Sequence, residues 1–168
     1  MNVNIFVSST YRDLSNHREI LRVAIETSGY RFKGMEHFAA QQTPPLDVCL
    51  NEIGECEVYI GIIGRLYGSC PPERVRSYTE LEYIRARELS KYIIVLFIGD
   101  GAQITIGQIE QNPEKIERLN RFRERLRQRH TVDTFNDEHE AAWKILAALR
   151  NYEIRLREEQ QGVGGIEE

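Results

Sequence analysis

The chain has 168 residues, 41% hydrophobic and 29% charged, with a formal net charge of −4 at pH 7. This length suits a single domain whose core needs no disulfides. The acidic balance makes nucleic acid an unexpected main partner. The three cysteines are odd in number and lack the CxxC spacing of zinc sites, so we expect free thiols in a reducing compartment and no metal.

Two features predict a cytoplasmic protein with no membrane partner. The first residues run directly into a strand pattern, without the basic and apolar regions of a signal peptide. The longest apolar run, Tyr92 to Ile98, is far too short to span a bilayer.

Strand-like and helix-like segments alternate along the chain. Short apolar, β-branched runs predict strands, and longer segments with apolar residues three or four positions apart predict helices. In chain order these are a strand at 3–9, a helix from a Thr10–Asp13 capping box to Ser28, a strand at 30–33, a helix opened by Pro44 and Pro45, a strand at 57–63, a helix at 78–90, a strand at 92–98, a helix at 114–129, a strand at 131–135 and a last helix capped by Asn136 or Asp137.

This alternation is typical of βαβ units and predicts the α/β class. We expect one three-layer α/β/α domain with a five-stranded parallel sheet in the flavodoxin-like order 2-1-3-4-5. The most hydrophobic strand, Tyr92 to Ile98, should lie inside the sheet. The domain is predicted to cover 1–157, and the polar, glycine-bearing segment 158–168 is predicted to be a flexible tail or linker.

Apolar spacing also predicts which helix faces are buried. In the helix 114–129, Ile116, Leu119, Phe122 and Leu126 should face inward, and in the last helix Trp143, Leu146 and Leu149 should pack on the sheet. The helix 114–129 also carries six arginines, which indicate a solvated or partner-facing surface in preference to an RNA-binding face. They are Arg118, Arg121, Arg123, Arg125, Arg127 and Arg129.

Two acids stand near the start of the helix 78–90. Ser77 and Glu80 have the spacing of a capping box, which gives Glu80 a structural role. Glu82 has no such role, and two interpretations remain open. It is either a solvated acid paired with Arg85, or an acid that faces a cleft at the carboxyl edge of the sheet.

The predicted topology favours the cleft interpretation without closing the other. In this strand order, ligands bind outside the carboxyl ends of the first and third strands. The loops Ser8 to Asp13 and Gly64 to Ser77 meet there with the helix that carries Glu82.

Known phosphate-binding motifs are absent from the first turn, which has neither GxGxxG nor GxxxxGK[ST]. The turn does offer hydroxyl groups and a helix N-terminus for a phosphate or ribose. Tyr67 and Tyr78 flank the candidate acid, and they either stack on a planar base or fill loop crevices. The four histidines are scattered, which argues against a histidine-based dyad.

Four segments, in order, carry a resemblance: IFVSSTYRDLSNHRE, GMEHFAAQ, EVYIGIIGRLYGS and SYTELEYIRA. Over about 3–150 the chain resembles a domain of unknown function with a TIR-like fold, found at the N-terminus of NACHT and other STAND-type NTPases and of tetratricopeptide proteins. It is more distantly similar to nucleoside 2-deoxyribosyltransferases and to TIR-domain NAD glycohydrolases.

These families place an essential glutamate after the third strand, in a T-x-x-E-φ-x-x-A context that Thr79, Glu82, Tyr83 and Ala86 match. The resemblance therefore implies that Glu82 is catalytic. The acidic and glycine residues that deoxyribosyltransferases carry just before this threonine are not matched. The nucleotide-binding residues that we expect beside Glu82 are Ser8, Ser9, Thr10 and Tyr11 for phosphate or ribose, and Tyr67 and Tyr78 for the base.

The resemblance implies a domain that binds a nucleotide or NAD and cleaves its N-glycosidic bond in a signalling or defence context. NAD would be a substrate, and no separate cofactor is expected. The alternative is a non-catalytic interaction and oligomerisation module of a STAND-type signalling protein, since TIR-like folds serve both purposes. Self-association or a protein partner is expected on either interpretation.

Overall fold

The computed structural model describes residues 3–38 and 45–163. Its sheet has five strands, all parallel, in the order β2-β1-β3-β4-β5. The predicted flavodoxin-like order is confirmed, and so is the interior position of β4. The strands are β1 (Asn4–Ser8), β2 (Arg31–Lys33), β3 (Val58–Ile63), β4 (Tyr92–Ile98) and β5 (Asp133–Phe135).

Five α-helices connect or follow the strands. They are α1 (Ser15–Thr27), α2 (Leu46–Gly54), α3 (Tyr78–Glu88), α4 (Pro113–Arg129) and α5 (Glu138–Val163). Short 3-10 helices lie at Met35–Phe38 and Ile106–Gln108. The first of these follows β2, while residues 39–44, including the predicted helix opener Pro44, lie outside the described residues.

The helices form two layers, one on each face of the sheet, and each layer has its own apolar core. Leu21 and Ile25 of α1 pack with Ile145 and Leu149 of α5 on one face. Residues of α2, α3 and α4 pack together on the other face, among them Ile53, Tyr83 and Phe122. Since apolar side chains cover both faces, the strands are continuous hydrophobic runs.

The start of α1 differs from its prediction. The Thr10 hydroxyl donates a hydrogen bond to the Asp13 carboxylate, and the predicted capping box does not form. Leu14 occupies the N-cap position, without a side-chain cap bond, and α1 begins at Ser15.

The prediction that Trp143 and Ile116 face inward is wrong. Trp143 is 59% exposed, because it lies two positions from both Ala141 and Ile145, about 200° around the helix from the buried stripe. Leu149 is fully buried, and Leu146 packs against the core as predicted. Ile116 is 39% exposed in the first turn of α4, while the three later residues predicted for that face are buried.

Helix α5 continues to Val163, past the predicted domain boundary at residue 157. The side chains at 157–161 are exposed, so this extension adds nothing to the core. Within the ranges that the structure describes, no helix is both long and apolar enough to cross a membrane.

Candidate functional site

A cleft of about 680 Å³ opens at the carboxyl ends of β1 and β3. The chain leaves β1 toward α1 on one face of the sheet and leaves β3 toward α3 on the other, which creates a crevice between the two connections. The lining residues are Ser9, Thr10, Tyr11, Arg12, Met35, Cys49, Leu66, Gly68, Ser69, Tyr78, Thr79, Glu82, Glu110 and Lys115.

Glu82 lies in the second turn of α3 and contributes its carboxylate to this cleft. The hydroxyl of Ser8, the buried last residue of β1, donates a hydrogen bond to Glu82 Oε2. Burial raises the pKa of Glu82 to about 7, although the Ser8 hydrogen bond and the charge of Arg18 oppose the rise. Glu82 therefore changes its protonation state near neutral pH.

Two titratable groups near this carboxylate stay neutral. Burial raises the pKa of the Cys49 thiol to about 12, and the nearby charge of Glu82 adds to the effect. Burial also raises the pKa of Tyr59 well above its usual value, again with a contribution from Glu82. Across the described residues, no group of three His, Cys, Asp or Glu side chains is placed to hold a metal ion.

Arg18 lies beneath the cleft and was missed by the sequence reasoning. Its side chain is almost fully buried, and it pairs with Glu36 through two bonds, including Nη2 to Oε2 at 2.7 Å. It also donates to the carbonyl of Val7 at 3.1 Å and to Ser9 Oγ at 3.0 Å. The guanidinium thus connects the end of β1 to the 3-10 helix Met35–Phe38 through hydrogen bonds and an ion pair.

A sequence signal for Arg18 does exist. It stands four positions after Leu14 and three before Leu21, which places an arginine on the buried stripe of α1. An arginine at such a position needs buried hydrogen-bond acceptors, because desolvating an unpaired charge is costly.

The turn after β1 lies at the cleft, but its hydroxyl hydrogens are already engaged. Ser8 donates to Glu82, Ser9 donates to the carbonyl of Thr10 at 2.8 Å, and Thr10 bonds to Asp13. These three side chains therefore hold the turn and offer no free hydroxyl hydrogen to a phosphate oxygen. Tyr11 is 53% exposed and lines the cleft.

Two cations also line the cleft, and the sequence reasoning missed both. Among the described residues, the Arg12 guanidinium has no hydrogen bond or ion pair. Lys115 Nζ donates to the carbonyl of Gly68 at 3.0 Å. Gly68 has a φ of 90°, and a side chain there would meet Thr10 at 2.8 Å, so glycine allows this loop to approach the turn after β1.

The two candidate tyrosines lie in different environments. Tyr78 lines the cleft, whereas Tyr67 does not. The Tyr67 side chain is 2% exposed, and its hydroxyl donates to Glu80 Oε2 at 2.6 Å. The same hydroxyl accepts from the Ser77 amide at 3.2 Å. The expected role of Tyr67 beside a base is therefore not supported by its position.

Glu80 forms only half of the predicted capping box. Its amide donates to Ser77 Oγ at 3.3 Å, but its carboxylate does not return to the Ser77 amide, because Tyr67 occupies that position. The carboxylate instead binds Arg125 Nη2 at 2.6 Å. Glu80 is thus a buried partner of α4, on the side of α3 that faces away from Glu82.

Comparisons with known proteins found a matching family and similar curated proteins. A family model described as Domain of unknown function (DUF4062) matches residues 4–150. Telomerase protein component 1 of Mus musculus is 24% identical over an alignment of 120 residues, and the match covers 60% of this chain and 4% of that protein. The corresponding protein of Rattus norvegicus is 23% identical over the same length. The chain thus matches about 4% of the length of these curated relatives.

Among solved structures, a Clostridium botulinum CMP N-glycosidase, BcmB, matches with a TM-score of 0.46 and 18% identity. The match covers 84% of this chain and 97% of that one.

Proposed function

This chain belongs to the family described as Domain of unknown function (DUF4062), and from the geometry of its cleft we propose that it binds a nucleotide and cleaves the N-glycosidic bond. The observation that carries the proposal is Glu82, a half-buried carboxylate in a 680 Å³ cleft, with a pKa raised to about 7. An acid perturbed by burial within a cleft is a signature of functional sites.

A single carboxylate is suited to this reaction. As the N-glycosidic bond breaks, the ribose becomes oxocarbenium-like, and a carboxylate beside it stabilises the positive charge or captures the carbon. Ser8 holds one carboxylate oxygen of Glu82, which orients the group. The ionised form of Glu82 performs either role.

We propose NAD, or a nucleotide related to it, as the substrate. Nicotinamide leaves as a neutral base from a cation, so its departure needs no strong general acid. The Cys49 thiol in the cleft and the nearby Tyr59 hydroxyl stay protonated at neutral pH and are too weak as acids to drive a departure that needed one. The resemblance to TIR-like signalling domains supports NAD as substrate and a signalling or defence context.

The rest of the cleft has corresponding roles in this proposal. Tyr11 and Tyr78 flank the base, and Arg12 and Lys115 bind the phosphates, since cations suit phosphate oxygens better than engaged hydroxyls. Ser9 and Thr10 shape the turn. An interaction module would be better served by a flat, filled carboxyl edge with Glu82 in solvent, so the open cleft supports the enzyme.

The test is incubation of concentrated protein with NAD and, separately, with AMP and CMP, followed by chromatographic detection of the released base. Glu82→Gln keeps the shape of the side chain and removes its charge, and we expect a loss of about 100-fold or more. Glu88→Gln is the matched control, because Glu88 lies on the same helix but is exposed and outside the cleft. Unchanged turnover in Glu82→Gln would refute the proposal, and a lack of base release from every nucleotide would favour the interaction module.

A further inference from the structure

A second cleft, of about 530 Å³, lies at the carboxyl ends of β4 and β5 against α4. It shares no lining residue with the cleft that contains Glu82. Its walls include Phe97, Gly99, Arg123, Arg127, Thr134 and Asn136.

Two arginines on successive turns of α4 lie over one aromatic ring in this cleft. The guanidinium carbon of Arg123 is 4.6 Å from the centre of the Phe97 ring, and that of Arg127 is 5.0 Å from it. Phe97 is buried and belongs to a central strand, so it is a rigid support. Such contacts stabilise this orientation of both guanidiniums, of which Arg123 is half-buried and Arg127 is exposed.

Most of the hydrogen-bond donors of these two groups are unused. Arg123 makes one long bond, from Nη1 to the carbonyl of Gly64 at 3.5 Å. Among the described residues, Arg127 has no hydrogen-bond or ion-pair partner. Each guanidinium carries five N–H donors, so the pair offers several to a ligand in the cleft.

The local charge is also unbalanced. Arg65 lies close enough to lower the pKa of Arg123, a shift to which burial contributes most and Arg127 also contributes. Asp100 is the acid that opposes them, and its fully exposed carboxylate is bound to Arg65 Nη2 at 2.6 Å. Within the described part of the chain, Asp100 is the acid that acts on Arg123, and Arg65 already binds it, which leaves positive charge at the cleft.

From this juxtaposition of Arg123, Arg127 and Phe97 we propose a second binding site, which takes the phosphate group of a small organic anion. A phosphate ester at neutral pH carries a charge of about −1.5 to −2, which matches the two unneutralised guanidiniums, whereas one carboxylate would match only one. Planar guanidiniums also bind phosphate through paired N–H donors. The rest of the ligand would lie along Thr134 and Asn136. This site is independent of the nucleotide cleft.

The experiment titrates the whole chain with inorganic pyrophosphate at low ionic strength, by calorimetry and by amide NMR. We expect saturable binding and shifts of the Gly99 and Thr134 amides. Arg127→Gln and Arg123→Gln should each weaken binding about tenfold or more, the effect of losing charge-assisted hydrogen bonds. Arg127→Lys keeps the charge but loses the planar, paired N–H donors of the guanidinium, and it should also weaken pyrophosphate binding.

Arg121→Gln is the matched control, because it removes the same charge from the same helix. Arg121 is exposed, pairs with Glu117 and lies outside the cleft. Binding that Arg121→Gln weakens as much as Arg127→Gln would overturn the proposal and indicate nonspecific attraction. Shifts confined to the amides of Tyr11 and Gly68 would also overturn it, because they would place pyrophosphate in the nucleotide cleft. A lack of binding at millimolar pyrophosphate would do the same.

Discussion

Glu80 and Glu82 lie two positions apart on α3, yet their carboxylates meet opposite environments. Two positions correspond to about 200° around a helix, so one side chain faces α4 and the other faces the cleft. Glu80 has Arg125 and Tyr67 as partners, whereas Glu82 accepts a hydrogen bond from Ser8 and forms no ion pair within the described part of the chain. The first arrangement suits stability and the second suits chemistry.

The raised pKa of Glu82 predicts a specific dependence of stability on pH. The folded state holds this proton up to a pH of about 7, whereas the usual value is 4.5, so the free energy of unfolding should fall as pH rises between them. Glu82→Gln should therefore be more stable than the parent at pH 8, by on the order of 1–3 kcal/mol, and the gap should narrow toward pH 5. Urea unfolding at both pH values measures this.

Glu88→Gln serves as the control, since it also removes a carboxylate from α3 but at an exposed position. The difference in free energy of unfolding between Glu88→Gln and the parent should be the same at pH 5 and at pH 8. A Glu82→Gln protein less stable than the parent at pH 8 would contradict the raised pKa.

The proposed reaction makes a second pH prediction. If ionised Glu82 stabilises an oxocarbenium-like ribose, kcat/KM for NAD should rise with pH through about 7 and then level off. The measurement is nicotinamide release between pH 5.5 and 8.5. A rate that falls through the same range would instead indicate that protonated Glu82 acts as an acid.

Glu80 should matter more for stability than a helix cap would. An N-cap interaction contributes about 1 kcal/mol. Glu80→Ala also leaves Arg125 without its partner and removes an acceptor from Tyr67, so we expect a loss of roughly 2–4 kcal/mol. Thermal or urea unfolding checks this, with the exposed Glu88→Ala as reference. A loss no larger than that of the reference would show that the buried pair contributes little.

At the scale of elements, several arginines of α4 contact their own domain, whereas the sequence predicted a solvated or partner-facing surface. Arg125 pairs with Glu80, Arg118 donates to the carbonyl of Val75, and Arg123 and Arg127 lie over Phe97. Only part of the helix therefore presents a solvated surface, of which the Arg121–Glu117 pair is an example.

The orientation of α5 gives a prediction at the same scale. Trp143→Ala should change stability by no more than about 0.5 kcal/mol, because the ring is largely exposed and Lys144 lies over it. Ile145→Ala should cost about 2–5 kcal/mol, since Ile145 is fully buried in the core shared with α1. Melting midpoints of the two variants test this. Equal losses would mean that Trp143 is packed against the protein.

For the whole molecule, the open cleft predicts that activity depends on assembly. The resemblance of the sequence to TIR-like domains implies a site that neighbouring protomers complete, and we propose the same for this chain. We expect turnover per molecule to be low in dilute solution and to rise with protein concentration, as mass action requires when only the assembly is competent. The assay compares specific activity from nanomolar to high micromolar protein. Activity independent of dilution would contradict this prediction.

The sequence by itself determined the architecture, because strand and helix periodicity depends on near neighbours in the chain. The alternation of elements predicted the parallel sheet and its order, and the order predicted which loops meet Glu82. The tertiary structure decided the partners of long polar side chains. Arg125 reaches Glu80 across 45 positions, and Arg18 reaches Glu36 across 18. It also decided that Tyr67 turns inward, because its hydroxyl is the hydrogen-bond partner of Glu80 and Ser77. Such pairings depend on how elements pack, which no local pattern records.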